Sequence, residues 1–151
     1  LTKGIPIETR IVKPTAPKKI SHDPENPFNN QEAFFLSRLT LTQGTPVLLE
    51  DIYLETELFM GIDRIDLANK SLAQVVSDRY YLAPETGNQQ FKVETLDAKR
   101  STWLQLSSSD PVLTVRRKLN FPHAPNAIFS VLFCRTDVFA FSQTIQSENH
   151  A

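Results

Sequence analysis

Three observations predict an α+β domain built on an antiparallel β-sheet. Phe35 to Leu54 (FLSRLTLTQGTPVLLEDIYL) reads as a β-hairpin, with two arms rich in Leu, Val, Ile, Phe, Thr and Tyr around the turn Thr42-Gln43-Gly44-Thr45-Pro46. Val112 to Phe121 and Ala127 to Arg135 read as two long strands, joined by the tight connection Pro122-His123-Ala124-Pro125-Asn126. Between these hairpins the apolar spacing becomes helical, at Leu72, Val75, Val76 and Tyr80. Consecutive hairpins make neighbouring strands antiparallel, so the expectation is a sheet with a few short helices packed on one face. At 151 residues the chain is expected to form one domain with a real core.

The elements follow in order. Pro6 to Val12 is a short candidate strand. Lys13 to Gln31 carries Pro14, Pro17, Pro24 and Pro27 among Asn, Asp and Ser, and reads as a long loop because proline fixes φ and removes a donor. After the first hairpin, Glu55 to Met60 reads as a single helical turn that Gly61 ends. Asp66 to Lys70 leads into a helix for which Ser71 is the N-cap. Pro84 and Gly87 break the chain. Gln89 to Leu96 alternates as a strand, with Phe91, Val93 and Thr95 on one face. Ser101 to Leu106 is a second short helix, and Ser107 to Pro111 a turn. Val138 to Ile145 adds a short piece, and the last six residues read as frayed.

Composition excludes several classes. The net charge is −1 and the basic residues are scattered, which gives no electrostatic reason for this chain itself to hold nucleic acid or an anionic membrane. Cys134 is alone, so no disulfide framework or CxxC metal pattern exists, and reducing cytoplasm is the default expectation. No apolar run reaches spanning length and no signal-peptide core opens the chain. The first residue is Leu and not Met, which suggests either a piece of something longer or a processed start. No GxGxxG, P-loop, HExxH or GxSxG is present, and no cofactor or metal is expected. His22, His123 and His150 fall in a loop, a turn and a tail, and read as surface residues. Cys134 reads as a small buried hydrophobe, and Trp103 as core.

The informative residues are charges inside apolar strands. Arg38 and Glu50 each sit mid-strand, where an unpaired charge is costly. Two readings stand: they pair across the hairpin, or they floor a polar pocket. Arg117 shares a face with Leu113, Val115 and Leu119, which is the buried face if Thr114, Arg116 and Lys118 face water. A core-side Arg is an anion receptor, because its planar fork matches carboxylate or phosphate. Ser71 adds a hydroxyl and free backbone N–H groups at a helix start. The competing reading pairs Arg38 and Arg117 with Glu50 or Glu94.

Several of these stretches, taken in order, resemble the effector-binding UTRA domain of GntR-type transcription regulators of the HutC branch, which shares the chorismate-lyase fold. The family's R-L-R-x-x-x-G-x-P-x-x-x-E is matched by SRLTLTQGTPVLLE. Its short acidic segment with S-L opening a helix is matched by DRIDLANKSLAQVV. The later P-V-L-x-x-x-R, G-x-P-V-E and R-x-D-R-Y compare with PVLTVRR and APNAIFSVLFCRTDVFAF, and the opening resembles KGIPIETRIV. The resemblance spans nearly the whole chain. It implies a bacterial, cytoplasmic regulator without a membrane segment that works as a homodimer and binds a small anionic metabolite effector. In the family, a winged helix-turn-helix precedes this domain and binds operator DNA. That module is missing from these residues, so operator DNA would be reached only through it.

Carried over one position at a time, Arg38 and Glu50 match the residues that hold the effector, Ser71 the serine at the helix start, and Arg117 the strand arginine. Thr40 and Ile128 occupy two further effector-binding positions, but as departures: Thr40 stands where the family has Arg, and Ile128 where it has Glu. Val138-Phe139 replaces an Arg-Tyr pair. A pocket so changed is less polar than one built for a sugar phosphate, which favours either a smaller, more apolar carboxylate or phosphonate-like ligand or a degenerate sensor. The alternatives are a chorismate-lyase-like enzyme acting on an aromatic carboxylate and a dimerisation module without a ligand.

Overall fold

Among the described residues, six antiparallel strands form one sheet in the order β1-β2-β3-β6-β5-β4, so the two hairpins lie side by side through β3 and β6. The computed structural model describes residues 7–138. The strands are β1 (Ile7–Lys19), β2 (Glu32–Thr42), β3 (Thr45–Leu54), β4 (Thr86–Glu94), β5 (Val112–Phe121) and β6 (Ala124–Arg135). The helices are α1 (Leu72–Tyr80) and α2 (Ala98–Leu104), with a 3-10 turn at Ile62–Arg64. The β2–β3 turn is made by Gln43 and Gly44, both with positive φ (52° and 79°), the left-handed pair that matches the twist of a hairpin.

Alternation along the central strands makes two cores. Phe34, Leu36, Ile52, Leu54 and Ile128 face α1 and pack with Val75, Val76, Phe59 and Leu67. Phe35, Leu39, Leu49, Tyr53, Phe129 and Phe133 face the other way and pack with Leu104 of α2 and with Ile20 and Phe28. The expectation of helices on one face is therefore corrected: α1 and α2 cover opposite faces. What draws α2 to its face is Asp51, buried in β3 between Glu50 and Ile52. It accepts from Ser37 Oγ (2.7 Å) and from Arg100 Nε (3.0 Å) of α2.

Other boundaries move for identifiable reasons. The residues Lys13 to Lys19, expected as loop, are strand. β1 is an edge strand with register breaks at Ile11/Lys13 and Lys13/Ala16, which is where a sheet tolerates proline. α2 starts earlier than Ser101, because Asp97 caps it by accepting from Arg100 N at 2.9 Å, and it ends before Leu106. Gly87 does not break the chain but lies within β4, where a Cβ would meet Leu119 Cδ2 at 2.9 Å. β4 ends at Glu94, so Thr95 is outside it, and its Phe91 and Val93 are exposed. β6 begins at Ala124, leaving Pro122-His123 as the turn. Thr114 does not face water: it is 0% exposed, and it shares its face with Val112 under the 20–31 loop. Of the piece expected over Val138 to Ile145, Val138 lies in a turn and the rest is outside the described residues, as are the last six. No helix among the described residues is long and apolar enough to cross a membrane.

Candidate effector site

Three charged residues of the α1 face, Arg38, Glu50 and Arg117, meet at one place. Arg38 from β2, Glu50 from β3, Arg117 from β5, and Ile128 and Ser130 from β6 floor a cavity of about 340 Å³. α1 roofs it with Ser71, Leu72, Ala73, Val76 and Ser77. Leu82, Ala83, Pro84, Leu119 and Phe121 complete the walls. The register explains the convergence: Arg38 lies opposite Glu50, and Arg117 opposite Ser130, which itself lies opposite Ile52.

Both readings of Arg38 and Glu50 hold together, since the two residues pair across the hairpin and also line the cavity. Arg38 is 7% exposed. Its Nη2 donates to Glu50 Oε1 at 3.2 Å. Its Nη1 donates to the carbonyls of Leu67 (3.3 Å) and Lys70 (2.8 Å), so the arginine fastens the segment that leads into α1. Its Nε is buried without a partner among the described residues. Ser71 is the N-cap, accepting from Gln74 N at 3.2 Å, and the next two N–H groups, of Leu72 and Ala73, have no intrahelical acceptor. Positive dipole density therefore sits at the cavity rim.

Arg117 does not pair with Glu94. Glu94 and Arg116 share the α2 face and bond at 2.6 Å, while Arg117 points to the α1 face. Its Nε donates to Gln89 Oε1 at 2.8 Å, and no carboxylate among the described residues lies within ion-pair distance of its terminal nitrogens. Hydrogen bonding to Arg116 holds the Glu94 carboxyl below its usual range. Burial pushes the Cys134 thiol up to about 11. The nearby Glu50 carboxylate adds to that rise and Arg117 opposes it, so two of the three cavity charges act at this sulfur.

Of the six residues singled out in the sequence, Arg38, Glu50, Ser71, Arg117 and Ile128 line the cavity. Thr40 lies on the same face but is not a lining residue: it is two positions nearer the hairpin tip, opposite Leu48. Phe139 is outside the described residues. Ser130 and Ser77 were not anticipated. Ser130 had a readable signal, as the one polar residue in the alternation Ile128, Ser130, Leu132; Ser77, on a helix with other polar residues, had none. Chemically, the site offers an arginine fork and helix N–H groups to an anion, a carboxylate to a donor, and apolar walls beside them. Among the described residues no group of three or more His, Cys, Asp or Glu could hold a metal.

The fold is shared with solved effector domains. The C-terminal domain of the histidine utilization repressor from Pseudomonas syringae pv. tomato str. DC3000 superposes with a TM-score of 0.82 at 13% identity, over 94% of this chain and 100% of that one. The effector domain of PhnF from Mycobacterium smegmatis gives 0.83 at 16% identity, over 96% and 90%. Against whole PhnF from the same organism the TM-score is 0.82 at 16% identity, and 97% of this chain corresponds to 65% of that one. A comparison with curated proteins finds no match. A family model described as the UTRA domain matches residues 26–139, which takes in β2 to β6, both helices and every residue that lines the cavity. The chain belongs to the UTRA domain family.

Proposed function

We propose that this chain is the ligand-sensing and dimerisation domain of a bacterial GntR/HutC-type transcription regulator, and that its cavity binds a small anionic metabolite which modulates operator binding by a separate DNA-binding domain. The observation that carries the reading is Arg117, an arginine without a carboxylate partner among the described residues, on a cavity whose rim holds the α1 N-terminus. Arg38, Glu50, Ser71, Arg117 and Ile128 are the proposed contacts; Thr40, two positions nearer the hairpin tip, is not among the residues that line the cavity. The walls are largely aliphatic, which suits a carboxylate or phosphonate with an apolar body better than a sugar phosphate. The 65% share of PhnF that corresponds to this chain supports a further domain in the parent protein. Exposed Phe91 and Val93, neighbours on one face of edge strand β4, support a homodimer surface. Ligand preference for one arrangement of that dimer would shift the placement of the DNA-reading domains.

The test is a thermal-shift screen against phosphosugars, phosphonates, amino acids and aromatic acids, repeated on Arg117→Ala. Arg117 is the better probe, because Arg38 also holds the segment before α1. A ligand in hundredfold excess over its Kd stabilises by about 2.7 kcal/mol. The expected result is a hit that Arg117→Ala weakens at least about tenfold, the loss of one charge-assisted contact. Turnover of chorismate would instead establish the enzyme reading. Silence across the whole screen would leave a ligand-free dimerisation module.

A further inference from the structure

The charges on the cavity do not cancel in pairs, and that narrows the ligand. Arg38 directs its terminal nitrogens at two carbonyls and at Glu50 Oε1, and its Nε is buried without a partner among the described residues. Glu50 Oε2 accepts no hydrogen bond among the described residues, although Glu50 lines the cavity. Across β6 stands Arg117, whose terminal nitrogens face no carboxylate among those residues. A hydrogen-bond acceptor with spare capacity and a donor fork with spare capacity thus share one cavity, with two strand spacings, roughly 10 Å, between their backbones.

A simple anion satisfies only half of this arrangement. Seated on Arg117 it lies in the field of the Glu50 carboxylate, and a phosphate dianion feels that field twice over. It also closes the cavity over Glu50 Oε2 without a donor, and an acceptor cut off from water with no partner is costly. A ligand that carries an ammonium as well as an anion removes both penalties. Leu119 and Ile128 lie beside Arg117 in the register, on the side away from Glu50, and with Val76 of α1 they offer a surface that suits a hydrocarbon body. Ser130 Oγ, beside Arg117 in the register, is available to either end.

We propose that the cavity recognises an amino-acid-like zwitterion with an apolar body, its carboxylate on Arg117 and the α1 N-terminus and its ammonium on Glu50. The inference rests on the sensor reading, and its test separates the two. The protein amino acids are titrated calorimetrically into the domain, each beside its deaminated carboxylate and its decarboxylated amine. The expected result is that an apolar amino acid binds, and that loss of either charged group weakens it at least about tenfold. In Glu50→Gln the amino acid should bind little better than its deaminated carboxylate. In Arg117→Gln both should weaken together. The ligand series needs no variant, so poor folding of Glu50→Gln would not spoil it. A deaminated carboxylate that binds as well as its amino acid overturns the zwitterion and leaves the anion sensor standing. An amine that binds as well overturns it too, because Arg117 is then unused. If no member binds, the zwitterion is overturned, and phosphosugars, phosphonates and aromatic acids alone then decide the sensor reading.

Discussion

Cys134 illustrates how far a side chain's chemistry follows from its neighbours. The thiol is buried on β6, and burial and the Glu50 carboxylate, partly opposed by Arg117, push its pKa up to about 11. The thiolate is the reactive form, so at pH 8 about one molecule in a thousand carries it. Alkylation by iodoacetamide at pH 8 should be at least about a hundredfold slower in the folded protein than in the urea-unfolded chain, read by mass shift against time. Equal rates would mean that the sulfur is accessible and the strand assignment wrong. The sequence made Cys134 legible as a hydrophobe because it stands in an apolar run. Arg38 and Glu50 were legible for the opposite reason, as charges where the run should be apolar. Thr114 was misread because alternation alone gave its face to water. What covers that face is the 20–31 loop, whose Glu25 reaches Arg116 at 3.3 Å, and nothing local in β5 announces that contact.

The element least legible was β1. Pro14 and Pro17 argue against a strand wherever both edges must donate, but β1 has only β2 beside it, and its register breaks accommodate the lost donors. Its start is held from elsewhere. Thr9 N donates to Asn69 Oδ1 at 2.8 Å, and Asn69 N donates back to Thr9 Oγ1, with Asn69 in the left-handed region at φ 56°. Asn69 belongs to the same short segment whose carbonyls, at Leu67 and Lys70, Arg38 fastens from the cavity side. One stretch of chain therefore touches both the cavity and the first strand. Thr9→Val keeps a β-branched residue and removes one bond, and Asn69→Gly removes the other without straining the backbone. Each should lower stability by about 0.5–1.5 kcal/mol in urea at unchanged m. Because the two bonds form one clip, the double variant should lose less than the sum. Strict additivity would show that they act independently. The hairpins, by contrast, were legible to within about three residues at their ends, since turn chemistry and β-prone arms are local signals.

At the scale of the whole molecule, one sheet is shared by two cores, so neither face can unfold alone without exposing the other's strands. The sequence announced the strands but not the division of helices between faces, because that depends on contacts such as Asp51 with Arg100, far apart in the chain. The division makes a test available. Trp103, the single tryptophan, packs against the α2-side core. Phe59 is fully buried in the other core, edge-on to Tyr80 and Phe121 at 5.5 Å each. Phe59→Ala removes no contact within the Trp103 core and should cost about 3–5 kcal/mol by transfer and cavity terms together. In a two-state domain that loss must appear at every probe. Trp103 fluorescence and far-UV circular dichroism should therefore shift their urea midpoints together and by the same amount. A Trp103 midpoint that stays in place while the dichroism signal moves would mean that the α1 face opens on its own. The cavity would then sit on a separately melting layer, and ligand binding would be coupled to the folding of α1 and not to the sheet. Coincident shifts place the cavity floor, with Arg38, Glu50 and Arg117, on the cooperative unit itself. A ligand bound there is then linked by mass action to the stability of the entire domain, β1 included.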